Sequence, residues 1–577
     1  MQTLKGIIPR LTSWARSHFS SEAMAALGPR LAAWARHQVS ADALSALLHV
    51  AVLLVLVSLF RPLFFQAVDA THYHASSIFV SMAKADLALI ASSAPKNVPV
   101  VPQLLTFLVP MALFFVAGRK LRWTDWEHGK ALRVFTLGVV LMLCWSGATS
   151  PYNLYLGREH GLDRLLLVAC GLLSIRFPIF VPLAVKMSIV MIKEAYVPTP
   201  LDDFDFRAPA ELVTIFSIFV WASLSRSFKP AHFLVVGIGS FAAFYYLAGI
   251  AKVNIGPTGS WLNENHVSNV GMAGYVRGWL SIVPESAFLQ FDALARRFDY
   301  WMAFYTLFIE VGAIVALYLF RQLTRWWFLG LFLLNFGIFA MSGICFWKWM
   351  ATSVLAFVWI GRSGKPLIDR MLEYKLPLLL GVAAIYWSSA RIWYYPTAVA
   401  WYDTRLTENY EIYAIGESGK RYLVRGTYFQ PMDMHWSQGK LCYATEERSM
   451  TGIYATGSYS TMRALEAITP EEMEKRHLRA RSCRNKKLQA RYDDFMRRFF
   501  GNLNHGGQKL TFLNWVGRPR HIWSWPKGQL NDGQNEVFDA QEKVAKVELW
   551  MNLVFHHDGK LHRTEPKLTH TVEIPTP

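Results

Sequence analysis

One lysine stands where a long apolar run ends. The stretch FAAFYYLAGIAKVNIGPTGSW, Phe241–Trp261, is almost purely apolar until Lys252, and a Pro-Thr-Gly turn follows. Two chemistries fit such an ammonium. It can snorkel to the membrane–water interface on its flexible stem. Alternatively an apolar surround disfavours its charged form, and the neutral amine is a general base. Glu310, in YTLFIEVGAIVALY, is the most isolated acid in any apolar run. A carboxylate there needs a partner or a proton, so it is expected to pair with a buried lysine or arginine or to orient a polar substrate. Asn335 and Ser342, in LLNFGIFAMSGICFWKW, supply polar edges, and Lys348 in the same stretch lies among aromatics, as at an interface. Glu211 falls near the start of an apolar run, where an acid suits a helix N-terminus.

Other polar groups have simpler readings. Arg158-Glu159-His160 and Asp163, after Pro151-Tyr152-Asn153, form a knot that caps a loop or opens a site. His556-His557-Asp558 contains metal-ligand types, but successive strand residues point to opposite faces. Turn polarity accounts for them better. There is no G-x-G-x-x-G, P-loop, G-x-S-x-G or H-E-x-x-H pattern, so no motif requires a nucleotide or a metal.

The elements that must hold these residues are membrane spans. The 577 residues are 53% hydrophobic and 17% charged, well below the quarter usual in soluble domains. Apolar runs near 46–65, 76–93, 100–117, 132–148, 165–192, 209–224, 231–251, 300–320, 325–343, 346–361 and 374–392 suggest eight to eleven spans of about 20 residues each. The run at 165–192 contains Arg176-Phe177-Pro178 and is expected to kink or break there. The net charge of +18 fits juxtamembrane Lys and Arg beside anionic lipid rather than nucleic acid, for which no signature exists.

The ends differ from the middle. PRLTSWARSHFSSEAMAALG at Pro9–Gly28 is echoed by PRLAAWARHQVSADALSALL at Pro29–Leu48. Residues 1–45 are therefore read as two duplicated amphipathic helices, with starts at Ser20-Ser21-Glu22 and Ser40-Ala41-Asp42, and not as a signal peptide. Residues 46–395 form the transmembrane domain. Residues 396–577 read as an extramembrane, mostly β domain. Tyr410–Asp433 alternates around a Glu-Ser-Gly turn, and the stretch from Lys543 alternates around His557-Asp558-Gly559. A charged helical insertion lies between them, at about 469–500. Of five cysteines, Cys144, Cys170 and Cys345 fall in apolar segments, while Cys442 and Cys483 could pair in an oxidising compartment.

The segment YYLAGIAKV, Tyr245–Val253, resembles a helix of the vitamin K-dependent gamma-glutamyl carboxylases and the bacterial horizontally transferred transmembrane domains related to them. The loop ending at Trp261, Gly274-Tyr275…Trp279, and LLNFGIFAMSGICFWKWMATSVLAF look similar too. Asn335 stands where that family often has a histidine, a departure that bears on peptide-glutamate carboxylation more than on the fold. The resemblance implies a helical membrane bundle followed by a β domain, with Lys252 as the base that deprotonates a reduced, vitamin K-like quinone. Oxygen then generates a stronger base, and carbon dioxide captures the substrate carbanion. Glu310 and Asn335 would neighbour the base, and Tyr245, Tyr246 and Trp261 would contact the quinone. It further implies membrane lipid, a lipid-soluble quinone and a protein substrate or partner subunit as partners, in a bacterial inner (cytoplasmic) membrane. The alternative is a non-catalytic membrane scaffold or assembly subunit. A transporter built on inverted repeats ranks last, because the break at Pro178 has no matching half.

Overall fold

The computed structural model describes residues 36–65, 114–149, 160–194, 204–280, 282–389, 400–429, 441–451, 455–507 and 536–575, with positions 33 and 154. The expected span at 76–93, most of that at 100–117, the first duplicated helix and Pro151–Glu159 apart from Leu154 lie outside them.

Helices fill the first two thirds. They are α1 (Ala41–Phe65), α2 (Gly129–Ala148), α3 (Gly161–Arg176), α4 (Val181–Glu194), α5 (Phe204–Ala222) and α6 (Pro230–Asn254). Then come α7 (Ser260–Glu264), α8 (Asn269–Val276), α9 (Glu285–Ala295), α10 (Asp299–Val311) and α11 (Ala313–Tyr318). The set closes with α12 (Arg321–Ser342), α13 (Trp347–Gly361), α14 (Lys365–Glu373) and α15 (Lys375–Ser389). Among the described residues, five helices are long and apolar enough to cross a membrane: Ala41–Phe65, Gly129–Ala148, Phe206–Ser225, Pro230–Asn254 and Arg321–Ser342. Pro178–Ile192 and Lys375–Tyr386 are shorter apolar helices. The chain is an integral membrane protein with a helical bundle and a β-rich C-terminal region.

Several boundaries have clear causes. The run at 165–192 is two helices, because Pro178 cannot supply the N–H that a continuous helix needs. The expected helix start at Ser40-Ala41-Asp42 coincides with the start of α1: Ser40 Oγ accepts from Ala43 N at 3.3 Å, and α1 runs unbroken from Ala41 to Phe65. Arg61, which interrupts that run, donates to Glu211 through Nε at 2.7 and 2.9 Å, and Glu211 is 1% exposed. Glu211 is therefore no N-terminal acid. It sits two turns inside α5, where burial of a carboxylate requires the guanidinium. Lys348 is also relocated: it is buried in the bundle, with Nζ 4.9 Å from the Trp347 ring, rather than at an interface. His160 and Asp163 form a buried pair at 2.9 Å at the start of α3.

The bundle has two chemically distinct faces. On one, Gln38 beside α1 bonds to Glu373 O and Lys375 N, Trp123 before α2 reaches Ser174 O, and Arg321 pairs with Asp369. Here α6 and α12 begin and α3 and α13 end. The opposite face holds the ends of α2, α6 and α12, and the loop helices α7–α9. There Trp279 Nε1 donates to Ala340 O at 3.1 Å.

The C-terminal region sits on that second face. Strands β1 (Leu406–Gly416), β2 (Arg421–Val424), β5 (Glu536–Val537), β6 (Val544–His557) and β7 (Lys560–Arg563) lie in the order β5-β2-β1-β6-β7. A further strand, β8 (Lys567–Glu573), also pairs with β6. The long antiparallel β1–β6 pair, from Leu406↔Phe555 to Gly416↔Val544, is its spine. Tight turns at 417–419 and 558–559 stand where the alternation places them. A small antiparallel pair joins β3 (Arg448–Ser449) and β4 (Arg481–Ser482). Helices α16 (Tyr459–Ala467), α17 (Pro470–His477) and α18 (Lys486–Asn504) form the insertion. In α18, Tyr492, Phe495, Met496, Phe499 and Phe500 are buried at helical spacing. Cys442 and Cys483 are joined in a disulfide.

Candidate functional site

The site grows from the last turn of α6. Its twenty-five largely apolar residues rise about 37 Å as a helix, more than the ~30 Å hydrocarbon core. Pro230 at the first turn costs α6 no hydrogen bond. Lys252 stands in its last turn, where a cation suits the negative end of the helix dipole. One turn earlier is Gly249. A Cβ there would lie 2.8 Å from Val311 Cγ2 and 2.9 Å from Glu310 Cβ. The missing side chain is what allows α10 to come this close.

That approach makes an ion pair. Lys252 Nζ donates to both Glu310 carboxylate oxygens at 2.8 Å. The lysine side chain is 13% exposed and the glutamate 8%. Lys252 thus neither reaches freely into water nor stands alone. Its ammonium also lies 5.6 Å from the Trp261 ring, a cation–π distance.

The C-terminal region closes the top. Trp261 Nε1 donates to Trp401 O at 2.9 Å. Fully buried Tyr402 donates to Ile255 O at 2.8 Å and bonds to Ser260 Oγ. The pair therefore sits at the seam between bundle and β region. Around it, the carboxylate of Asp403 accepts from Asn265 Nδ2 and Trp401 Nε1, and that of Asp299 from Ser268 N at 2.7 Å and His266 at 3.0 Å. Arg296 joins Asp292 (3.0 Å), Asn269 (2.6 Å) and His556 (3.3 Å). These bonds fix α7–α9 to the strands. His556 accepts here as a neutral ring. Burial, with Arg296 and Arg405 close by, pushes its pKa down to about 4. Among the described residues, no three His, Cys, Asp or Glu side chains gather to hold a metal ion.

A second polar layer lies below. Tyr245 is seven residues before Lys252, two turns along the same helix face. Its hydroxyl accepts from Asn335 Nδ2 at 3.0 Å, and Asn335 also donates to Leu331 O. The tyrosine ring packs against Trp349 at 4.9 Å and Trp327 at 6.2 Å. Tyr246, one residue on, turns about 100° away from that face and is half-buried.

The structure thus gathers Lys252, Glu310 and Trp261 at one level and joins Asn335 to Tyr245 at the next, while Tyr246 faces elsewhere. The roof residues Trp401 and Tyr402 carry no local signal, since they precede the first strand. Gly249 is legible as a small residue one turn from a lysine. No family model, curated protein or solved structure matches the chain.

Proposed function

We propose that this chain is a membrane enzyme that begins its reaction by taking a proton from a lipid-soluble hydroquinone, in the manner of the vitamin K-dependent carboxylases and their bacterial relatives. The observation that carries the reading is the Lys252–Glu310 pair, screened from water at the bundle–domain seam. In a low-dielectric site, a proton passing from the ammonium to the carboxylate leaves a neutral amine beside a neutral acid. Lys252 is then the base and Glu310 holds its proton. Trp261, Trp401 and Tyr402 keep water from the amine.

The surroundings fit a reduced quinone. A quinone headgroup is flat, apolar and edged with hydroxyls, which suits an amine and a carboxylate beside an indole face. On α10, exposed Trp301, Phe304 and Phe308 form an apolar stripe on the helix face opposite buried Glu310, a lipid-side surface for an isoprenoid tail. When bound, the hydroquinone supplies an acidic hydroxyl and reducing equivalents. The setting that suits this chemistry is a bacterial inner membrane.

The second reading is a non-catalytic scaffold or assembly subunit. One observation favours it: the carboxylate is fully engaged by the ammonium, so the pair can serve as a fastener between α6 and α10. Lys252→Ala separates the two readings. With reduced naphthoquinone, oxygen and purified protein in lipid, the enzyme reading expects hydroquinone-dependent turnover that Lys252→Ala abolishes. Absence of turnover in the wild type, with no quinone among the lipids that co-purify, favours the scaffold.

A further inference from the structure

The two faces of the bundle carry opposite signals. Short connections on the face away from the β region are strongly basic. Arg119, Lys120 and Arg122 precede α2, Arg226 and Lys229 join α5 to α6, and Arg362 and Lys365 precede or open α14. Connections on the other face are not. Residues 343–346, between α12 and α13, carry no charge, and the longer connection 255–298, between α6 and α10, balances Arg277, Arg296 and Arg297 against Glu264, Glu285 and Asp292. Lys and Arg in short loops stay on the cytoplasmic side.

The disulfide speaks independently. Cys442 and Cys483, 41 residues apart, are bonded with their Cα atoms 5.8 Å apart. Such bonds persist in oxidising compartments and are rare in the cytosol. The bonded pair lies in the C-terminal region, on the face opposite the basic loops. The buried Cys144 and Cys170, inside α2 and α3, form no disulfide.

Both signals give one orientation. We infer that the basic face lies in the cytoplasm, and that the C-terminal domain, with the Lys252–Glu310 pair beneath it, faces the oxidising, extracytoplasmic side. The inference does not depend on proton abstraction by Lys252. It limits what the seam can meet: any partner or substrate reaching it from water is an exported molecule, and cytoplasmic proteins have no access.

The test uses the full chain in a bacterial host. Single cysteines are added at exposed positions, Glu417→Cys on the domain and Lys120→Cys or Lys365→Cys on the basic loops. Intact spheroplasts are treated with a membrane-impermeant maleimide. Glu417→Cys is expected to label at once, and the other two only after lysis. Cys442 and Cys483 are expected to resist alkylation until a reductant is added. Labelling of Lys120→Cys or Lys365→Cys in intact spheroplasts overturns the orientation, as does alkylation of the native pair without reductant. Hydroquinone turnover is not read in this assay, so its outcome is separate from that of the enzyme proposal.

Discussion

At the scale of single residues, the pair at the seam behaves differently from either partner alone. Removing one member strands a charge among apolar groups, which costs about 3–5 kcal/mol in a buried pair. Lys252→Ala alone and Glu310→Gln alone are therefore expected to lower thermal stability in detergent. The double variant Lys252→Met/Glu310→Gln leaves no charge behind and is expected to recover most of that loss. Turnover, where the wild type has it, is expected to stay absent in the double variant. Recovery of activity together with stability would show that the pair only fastens helices. A cycle in which the two losses simply add would deny the coupling that the 2.8 Å contacts imply.

At the scale of elements, the seam depends on how closely α6 and α10 approach. Gly249→Val is expected to push α10 away, because a Cβ there also meets Val311 N at 3.2 Å, and backbone cannot swing aside. Overpacking of this kind costs about 1–3 kcal/mol, and Gly249→Ala is expected to fall between. Gly337, inside α12, is the control: nothing lies within 4 Å of a Cβ built there. Gly337→Ala is expected to be neutral or to stabilise by up to about 1 kcal/mol, since glycine is a poor helix former. Melting curves of the three variants decide the matter, and equal effects at both glycines would remove the close-approach argument. This is also the scale at which the sequence was most readable. Hydropathy located α1, α2, α5, α6 and α12 because burial in lipid requires long apolar runs. Pro178 announced its own break, and the turns at 417–419 and 558–559 follow from side-chain alternation. Contacts across the chain were not readable. Glu310 is 58 residues from Lys252, and Arg61 is 150 from Glu211. Local pattern carries the need for a partner but not its address, which is why Glu211 reads as a helix-start acid and Lys348 as an interface residue until the packing is known.

At the scale of the whole molecule, the question is what holds the β region together and keeps it on the bundle. The disulfide is one part, holding the helical insertion near the strands. Reduction, or Cys442→Ser, is expected to cost about 2–4 kcal/mol and to show as an earlier melt of the C-terminal region. The polar seam is the other part, and it is sensitive to acid through His556. Burial holds this ring neutral down to about pH 4 in the folded protein, whereas an unfolded histidine takes its proton near pH 6.5. Between those values the unfolded state binds more protons, so stability falls as pH falls. The opposing group at the same seam is Asp292, whose pKa burial raises despite Arg296. Its carboxyl gains a proton more readily in the fold and offsets part of the loss at the acid end. The guanidinium groups of Arg296 and Arg405 oppose a protonated His556. Replacing the ring isolates its contribution, because His556→Gln keeps a polar side chain for Arg296 without a proton to gain. Wild-type protein in detergent is expected to melt progressively earlier as pH drops from 7 to 5, and His556→Gln is expected to show a shallower slope. Parallel slopes would mean that acid acts elsewhere. The buried ring of His477, whose pKa is also lowered by burial, would then be the next group to replace.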